Sequence, residues 1–377
     1  MHDVSPSPDL THLVVFLLAL ADKLSLPANP AAPPAAEVLR YAPDDADVVV
    51  YLDVEAVLPR NYQAFVASGD DQLVRGTPGA REAHQRVVAR LEAARGEVKS
   101  TAGVDPVRDL RSLALVLTVR EQGDPDWLVS ARGRFDAALL DRLAAEGGAR
   151  KESVGSRTLV IAPGEKAAVT VTADGTVLAG SLSRVRERAG AWTPRRGPLL
   201  DKVTAALDER PFFFVGSRPS ATALRVLERE LRDPDVVWLR DFLVGHEAAT
   251  LSLSWNGMGW SYLARSAAGH ARAGLVSEGT VQILRAGSFY VRGLARWALA
   301  IAESYPNAPG VKTVLARKAE LLRVVDASSG DASFSAKVDR QDAARRTSVK
   351  LTGRSFSEVV PAAGVLVPLA VAVAMLM

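Results

Sequence analysis

The 377-residue chain contains no cysteine. That excludes disulfides, thiolate metal sites, a cysteine nucleophile and a lipid-modified N-terminal cysteine, and it suits an exported protein and a cytoplasmic one equally. Histidine is scarce: the five residues, at positions 2, 12, 84, 246 and 270, have no metal-ligand spacing. His246-Glu247-Ala248-Ala249-Thr250 starts like the zinc-protease pattern H-E-x-x-H, but Thr250 stands where the second imidazole must be, and the stretch runs into a strand. A lone histidine such as His84, in a helix rich in Arg and Glu, reads as a solvated side chain. The phosphate-cradling patterns G-x-x-x-x-G-K-S/T and G-x-G-x-x-G do not occur, nor do G-x-S-x-G and S-x-x-K. These absences point away from an enzyme, leave no catalytic or metal-binding residue to name, and call for no cofactor.

Charge of one sign is also lacking. The formal charge is +3, from 46 basic and 43 acidic residues. The two are interleaved, as in Arg108-Asp109, Glu228-Arg229-Glu230 and Asp339-Arg340. A nucleic-acid surface needs clustered cations without opposing carboxylates. The densest basic runs, Arg184 to Arg188 and Arg195-Arg196, are short, and the first holds Glu187. Nucleic acid is therefore not an expected partner.

What the chain does have is apolar length at both ends. Val359 to Met377 holds no charged residue, and as a helix it would approach the roughly 30 Å of a bilayer's hydrocarbon core. Pro361 falls near its start, where the missing N–H does no harm. The region 353–377 is thus a candidate transmembrane tail; the competing reading is a buried helix or a strand pair broken at Pro368. Leu13 to Ala21 has the length of a signal-peptide core, but Asp3 and Asp9 precede it in place of Lys or Arg. A Pro/Ala linker, Ser25 to Ala36, follows and closes the first segment, 1–36. The ends disagree about sidedness. Arg345, Arg346, Lys350 and Arg354 would hold the body in the cytoplasm, whereas a working signal would place it outside.

The body reads as α+β, in two tandem halves over 37–192 and 193–352. Val-rich alternation over Ala46–Val54 predicts a strand, and helices follow around 57–66 and 80–99. Leu113–Arg120 and Trp127–Gly133 form a hairpin around Asp124-Pro125-Asp126. A helix over 135–145, three short strands and a closing helix over 183–191 complete the half. The second half repeats the opening: a strand at Phe212–Ser217, a helix at 221–231, a second hairpin over 249–266, a long helix over 272–304, a helix over 312–325 and a final strand pair. Placing Trp127-Leu-Val-Ser-Ala-Arg132 over Trp260-Ser-Tyr-Leu-Ala-Arg265 aligns the hairpins. Each half reads β-α-β-β-α-β(n), a mainly antiparallel sheet with helices on one face.

Four stretches carry a resemblance. Leu39-Arg-Tyr-Ala-Pro-Asp-Asp-Ala-Asp47 opens a strand, Gly103-Val-Asp-Pro-Val-Arg-Asp-Leu110 precedes a hairpin, Trp127-Leu-Val-Ser-Ala-Arg-Gly133 forms its second arm, and Asp174-Gly-Thr-Val-Leu-Ala-Gly180 precedes a helix. Together they resemble an uncharacterised class of bacterial envelope proteins, best over residues 39–188. The resemblance implies a membrane-anchored or exported α+β protein with no established catalytic residues.

Carboxylates cluster at Asp44, Asp45 and Asp47 and at Asp124 and Asp126. Neither set has the register of a calcium loop, and both read as turn and capping residues beside Pro. Asp105 reads as a cap and Asp109 as a surface charge. Arg285, Arg292 and Arg296 share one face of the long helix, a stripe suited to anionic lipid or an acidic partner, or simply to water. Trp260 and Tyr262 share one face of the hairpin and are core or the rim of a partner site.

These features favour a non-enzymatic, membrane-tethered envelope protein that binds a protein partner or serves as a scaffold, its body outside the cytoplasm. The competing placement is a tail-anchored cytoplasmic body. The competing function is a soluble hydrolase or small-ligand binder with a site between the halves. On the tethered reading, the full-length chain partitions into the membrane fraction and needs detergent for release, and truncation after Arg354 makes it soluble; recovery of the intact chain in the detergent-free supernatant would exclude the tether.

Overall fold

The alternation over Val48–Asp53 forms the strand β1, with Val49, Tyr51 and Asp53 buried on one side. The computed structural model describes residues 39–76, 79–145, 148–190, 211–232, 244–254, 257–304 and 335–352, with isolated helical positions from 315 to 322. The N-terminal segment 1–36, the C-terminal segment 353–377 and most of the expected helix over 312–325 lie outside the described residues. Among the described residues no helix is long and apolar enough to cross a membrane.

After a 3-10 turn at Leu39–Tyr41 and β1 come helices α1 (Val54–Ser68), α2 (Gln72–Gly76) and α3 (Ala80–Ala102), then β2 (Leu110–Thr118) and β3 (Asp126–Gly133). Helix α4 (Leu139–Ala145) leads to β4 (Arg150–Val154), β5 (Arg157–Ile161), β6 (Ala167–Val171), β7 (Val177–Ser181) and α5 (Leu182–Ala189). The second half supplies β8 (Phe213–Ser217), α6 (Ala221–Glu230), β9 (His246–Ser254), β10 (Gly257–Ala264), α7 (Ala267–Ser304), β11 (Ser335–Gln341) and β12 (Arg346–Thr352). Local chemistry sets the boundaries. The Asp53 carboxylate caps α1 by accepting from Ala56 N–H at 3.0 Å, and burial holds its pKa above the usual carboxylate range. Ser220 caps α6 by accepting from Ala223 N–H at 3.1 Å. Gly103, at φ 67°, ends α3 in the left-handed conformation that glycine adopts most readily.

The strands form one 12-stranded sheet in the order β11-β12-β10-β9-β8-β1-β2-β3-β7-β6-β5-β4. Every pairing is antiparallel. The expected fold class holds at the level of α+β with a large antiparallel sheet. The halves do not form separate sheets: β1 pairs directly with β8 and the ladder runs through. Strand β4, Arg-Lys-Glu-Ser-Val, went unpredicted because it is charged and lies at the sheet edge.

Over five strands the order reads alike in both directions from the β1–β8 pair, and the first half then continues through β5 and β4. Val50 stands opposite Val215, Leu115 opposite Val50, and Leu251 opposite Val215. Four residues before each of those leucines the ladder skips one residue, at Arg111 in β2 and at Glu247 in β9. The same ladder puts Val129 opposite Leu115 and Trp260 opposite Leu251. Trp260 therefore occupies the place of Val129, two residues from the Trp127–Trp260 superposition, and a two-residue shift keeps each side chain on its face.

Helices lie on both sides of the sheet, not one. In the first half the front face carries Tyr51, Ala114, Val116, Leu128, Leu159, Ile161 and Leu178, packed with Val185 and Ala189 of α5 and with the 3-10 turn. In the second half the opposite, back face is the apolar one. Met258, Trp260, Val349 and Leu351 pack with Val281 of α7, and Tyr262 and Ala264 pack with Ala273 of the same helix. On the back face an apolar row runs unbroken from Val338 on β11 through Val349, Trp260, Leu251 and Val215 to Val50, and on to Val160 on β5.

One side chain joins the halves at their seam. The Asp47 carboxylate, 1% exposed, accepts from Val119 N–H at 2.7 Å after β2 and from Ser220 N–H at 2.5 Å at the start of α6. Its backbone carbonyl accepts from Arg218 N–H at 2.8 Å. Four residues along each strand from the Asp47–Arg218 contact, Tyr51 packs on its cross-strand neighbour Phe214 with ring centroids 5.3 Å apart. Hydrogen bonds to an ionised acceptor contribute about 1.5–3 kcal/mol each. Asp47→Ala, which strands two half-buried N–H groups, is expected to lower unfolding free energy by about 2 kcal/mol in urea titration, and Asp47→Asn by about half that.

Candidate functional site

On the front face the two halves differ in chemistry. The first half fills it with apolar side chains. The same face of the second half presents Thr250 and Ser252 from β9, Gly259 and Ser261 from β10, Ser348 and Lys350 from β12, and Lys337 and Asp339 from β11. These residues line an open cavity of about 380 Å³, closed at one side by Pro211 and at the hairpin end by Gln341 and Arg346. Period-2 alternation produces the division: the residues between them, Met258, Trp260, Val338, Val349 and Leu351, point into the core under α7.

The strands of the cavity floor approach closely. A Cβ on Gly257 would lie 2.0 Å from the Leu351 carbonyl oxygen, and one on Gly259 would lie 3.3 Å from Ser252 Oγ. The hydroxyls make weak internal contacts: Ser348 to Ser261 Oγ at 3.3 Å, Ser252 to the Gly259 carbonyl at 3.4 Å, and Ser254 to the Gly257 carbonyl at 3.2 Å. Lys337 and Lys350 face each other across the β11–β12 ladder, with Asp339 opposite Ser348 and Gln341 opposite Arg346. Directly opposed like charges destabilise a strand pair. Among the described residues neither Lys337 nor Arg346 forms an ion pair, and Arg346 Nε is buried without a hydrogen-bond partner. Arg340, on the back face of the same hairpin, is paired with Glu278 at 3.4 Å.

A second cavity of about 380 Å³ lies at the seam, between Asp44, Asp45 and Ala46 of the first half and Arg218, Ser220, Glu247 and Arg265 of the second. Arg265 donates to the Pro219 and His246 carbonyls at 3.1 and 2.9 Å, which ties this wall together.

The candidates from sequence are dispersed. Trp260 is half-buried beneath α7, its Nε1–H donating to Ser277 Oγ at 3.2 Å. Tyr262 is 5% exposed, and burial raises its hydroxyl pKa. Both side chains pack in the back-face core, and Trp260, unlike Tyr262, also borders the front cavity. Arg285, Arg292 and Arg296 lie on α7; Arg296 is exposed, and the side chains of the other two are outside the described residues. The groove cations Lys337, Lys350 and Arg346 were missed. Their signal was present: in Lys337-Val-Asp339-Arg-Gln341 and Arg346-Thr-Ser348-Val-Lys350, alternate residues are polar.

Other titratable residues have structural partners. His84, expected to be solvated, is 3% exposed, with Nε2 2.8 Å from the Phe65 carbonyl and 3.3 Å from Ser68 Oγ. His246 Nε2 is 2.7 Å from Ser217 Oγ, and His270 Nε2 is 2.9 Å from Asp342. Asp105 does more than cap: Arg95 grips it with two hydrogen bonds at 2.9 and 2.6 Å and holds its pKa below the usual range. Asp109, expected as a surface charge, accepts from Asp105 N–H at 2.8 Å. Asp126 is buried against Arg120, and Asp45 pairs with Arg184 at 2.6 Å. Among the described residues no group of three or more His, Asp or Glu could hold a metal ion.

No family model matches the sequence, and no curated protein does. Among solved structures, the chain is similar to crystal form I of TP0453 at a TM-score of 0.34 and 9% identity, covering 89% of this chain and 99% of that one. Crystal form III of TP0453 gives 0.34 and 10%, covering 86% and 97%. Crystal form IV gives 0.33 and 11%, covering 61% and 83%. Scores this low do not establish a shared fold.

The close approach at the cavity floor has a measurable consequence. Gly257→Ala forces β10 and β12 apart and is expected to destabilise the protein by about 1–3 kcal/mol in a denaturant melt. Ser348→Ala, whose hydroxyl faces the open cavity, should change stability by less than about 0.5 kcal/mol.

Proposed function

We propose that this chain is a non-enzymatic, membrane-tethered module of the cell envelope, a scaffold that holds a partner on the open front face of its C-terminal half. The partner is a protein or another envelope component. The observation that carries the reading is the cavity itself, in which Lys337 and Arg346 border a hydroxyl-lined floor with no ion pair among the described residues. In a chain whose charges are so evenly interleaved, two such cations in one concavity are set up for a partner outside the chain.

The frame fits that role in two ways. The halves are read as two copies of one β-α-β-β-α-β unit fused edge to edge. The mirrored strand order and the skipped residues Arg111 and Glu247 at the same ladder position support this. A sheet of this kind is a rigid platform, in which the copy that keeps its front face apolar stabilises the copy that leaves it open. The proposed tether, 353–377, follows β12 directly, and Lys350 lies two residues before the end of that strand. An anchored tail would bring the lysine end of the groove to the membrane surface.

The seam cavity supports a second reading, in which a small ligand binds between the halves among Asp44, Asp45, Arg218, Glu247 and Arg265. Chemical footprinting separates the two. Amine labelling of opened native membranes is expected to show Lys337 and Lys350 shielded relative to the purified chain, with Lys151 and Lys166 as reference. Equal labelling of all four in both samples would remove the groove reading. Shielding of Asp44 and Glu247 against carboxyl reagents, with the groove lysines unprotected, would favour the seam.

A further inference from the structure

We infer that β11 is a self-complementary sheet edge, through which two copies of this chain pair about a two-fold axis at Val338 into one continuous sheet. The inference goes beyond the binding reading of the groove, since it concerns the outer edge of the sheet and not the cavity floor. Among the described residues β11 pairs with β12 alone. Its seven residues, Ser-Ala-Lys-Val-Asp-Arg-Gln, are mostly exposed, and on the side away from β12 they present a row of backbone donors and acceptors suited to a further strand.

The charges select the partner and the register. A two-fold axis through an antiparallel pair sets each residue opposite the one equally far beyond the axis. Centred on Val338, it pairs the whole strand and sets Lys337 opposite Asp339 of the partner subunit, and Asp339 opposite the partner's Lys337. Within one copy neither residue forms an ion pair among the described residues: Asp339 accepts from Gln341 Nε2 at 3.1 Å, and Lys337 faces Lys350 across the ladder. Val338 meets its own copy and carries the apolar back-face row across the seam. Arg340, already paired with Glu278 at 3.4 Å, lies opposite the small Ala336. Centring the axis one residue to either side would set Lys337 on Lys337 or Asp339 on Asp339, and opposed like charges destabilise a strand pair. The helices leave room for this seam. Helix α7 packs on β10, β12 and β11, so its two copies stand about three strand spacings apart, ~14 Å, beyond the roughly 8–10 Å of helices in contact.

The other end of the sheet is built against such pairing. In β4, Arg150–Val154, the register that pairs all five residues sets Glu152 on Glu152. Arg150, Lys151 and Glu152 are moreover held by Glu165, Asp141 and Arg186. A charged, short strand of this kind blunts a sheet edge. Strand β11 is longer, and its charges match across the axis where those of β4 clash.

The seam is about 24 Å long and narrower than the roughly 1,600 Å² of a standard interface, so the pairing is reversible and is best trapped. The chain has no cysteine, which makes single introduced thiols clean probes. The test uses the full-length chain in detergent at high protein concentration, treated with a short thiol cross-linker. Val338→Cys is expected to give a covalent dimer, because the two thiols face each other across the axis. Ser335→Cys is not, because its two copies lie about 20 Å apart along the strands. Adding Lys337→Asp to Val338→Cys sets carboxylates opposite each other and should reduce the cross-linked fraction at least ten-fold, and the exchange Lys337→Asp/Asp339→Lys should restore it. Each variant is first checked for an unchanged urea midpoint. Cross-linking of Val338→Cys no greater than that of Ser335→Cys, or cross-linking that Lys337→Asp leaves unchanged, overturns the inference. Neither result touches the groove reading, whose footprint requires Lys350, a residue away from this seam. Loss of Lys350 shielding with the Val338→Cys dimer intact would remove the groove reading and leave the paired edge standing.

Discussion

The antiparallel pairing of β1 with β8 is the contact on which the rest of the structure depends. It converts two half-sheets, each with an exposed first strand, into one platform with its edges moved out to β4 and β11. An unpaired strand edge is a hazard in itself, so fusing the halves edge to edge removes two of them from the surface. Asp47 fixes this seam because its two carboxylate oxygens accept from backbone groups in opposite halves. A buried carboxylate is tolerated only when its lone pairs are satisfied, and here the groups that satisfy it are the ones that need to be aligned.

With one sheet, the two halves are free to divide the faces between them. The first half packs its front face under α5, and the second packs its back face under α7. Each half thus has a hydrophobic layer, and among the described residues no helix packs on the front of the second half. Serine, threonine, glycine and charged residues occupy it without leaving an unsatisfied core. The cavity is a consequence of this division more than of any single loop, and its floor is as rigid as the ladder beneath it.

Much of the fold was legible in local pattern. Alternation marked eleven of the twelve strands, because a half-buried antiparallel strand repeats every two residues and polar turns bound it. Edge strand β4 escaped because Arg150-Lys-Glu-Ser-Val154 buries almost nothing and so has no apolar face to betray it. His84 was misread for a related reason: helical neighbours rich in Arg and Glu suggest solvent, whereas its burial comes from Phe65 and Ser68 on a separate helix. Trp260 and Tyr262 were placed correctly on a common face. Which of two faces meets a helix, however, depends on where α7 crosses, and periodicity carries no information about that.

The order of residues by itself determined the class of the fold, the turns and caps, the absence of recognisable catalytic motifs and the alternating polarity of the last two strands, since each follows from steric and solvation preferences within about ten residues. Tertiary structure decided that the halves share one sheet, that Asp47 joins them, and that Lys337, Lys350 and Arg346 converge on one concavity. Those facts arise from contacts between segments far apart in the chain, whose free energy depends on distance in space and not on separation in sequence.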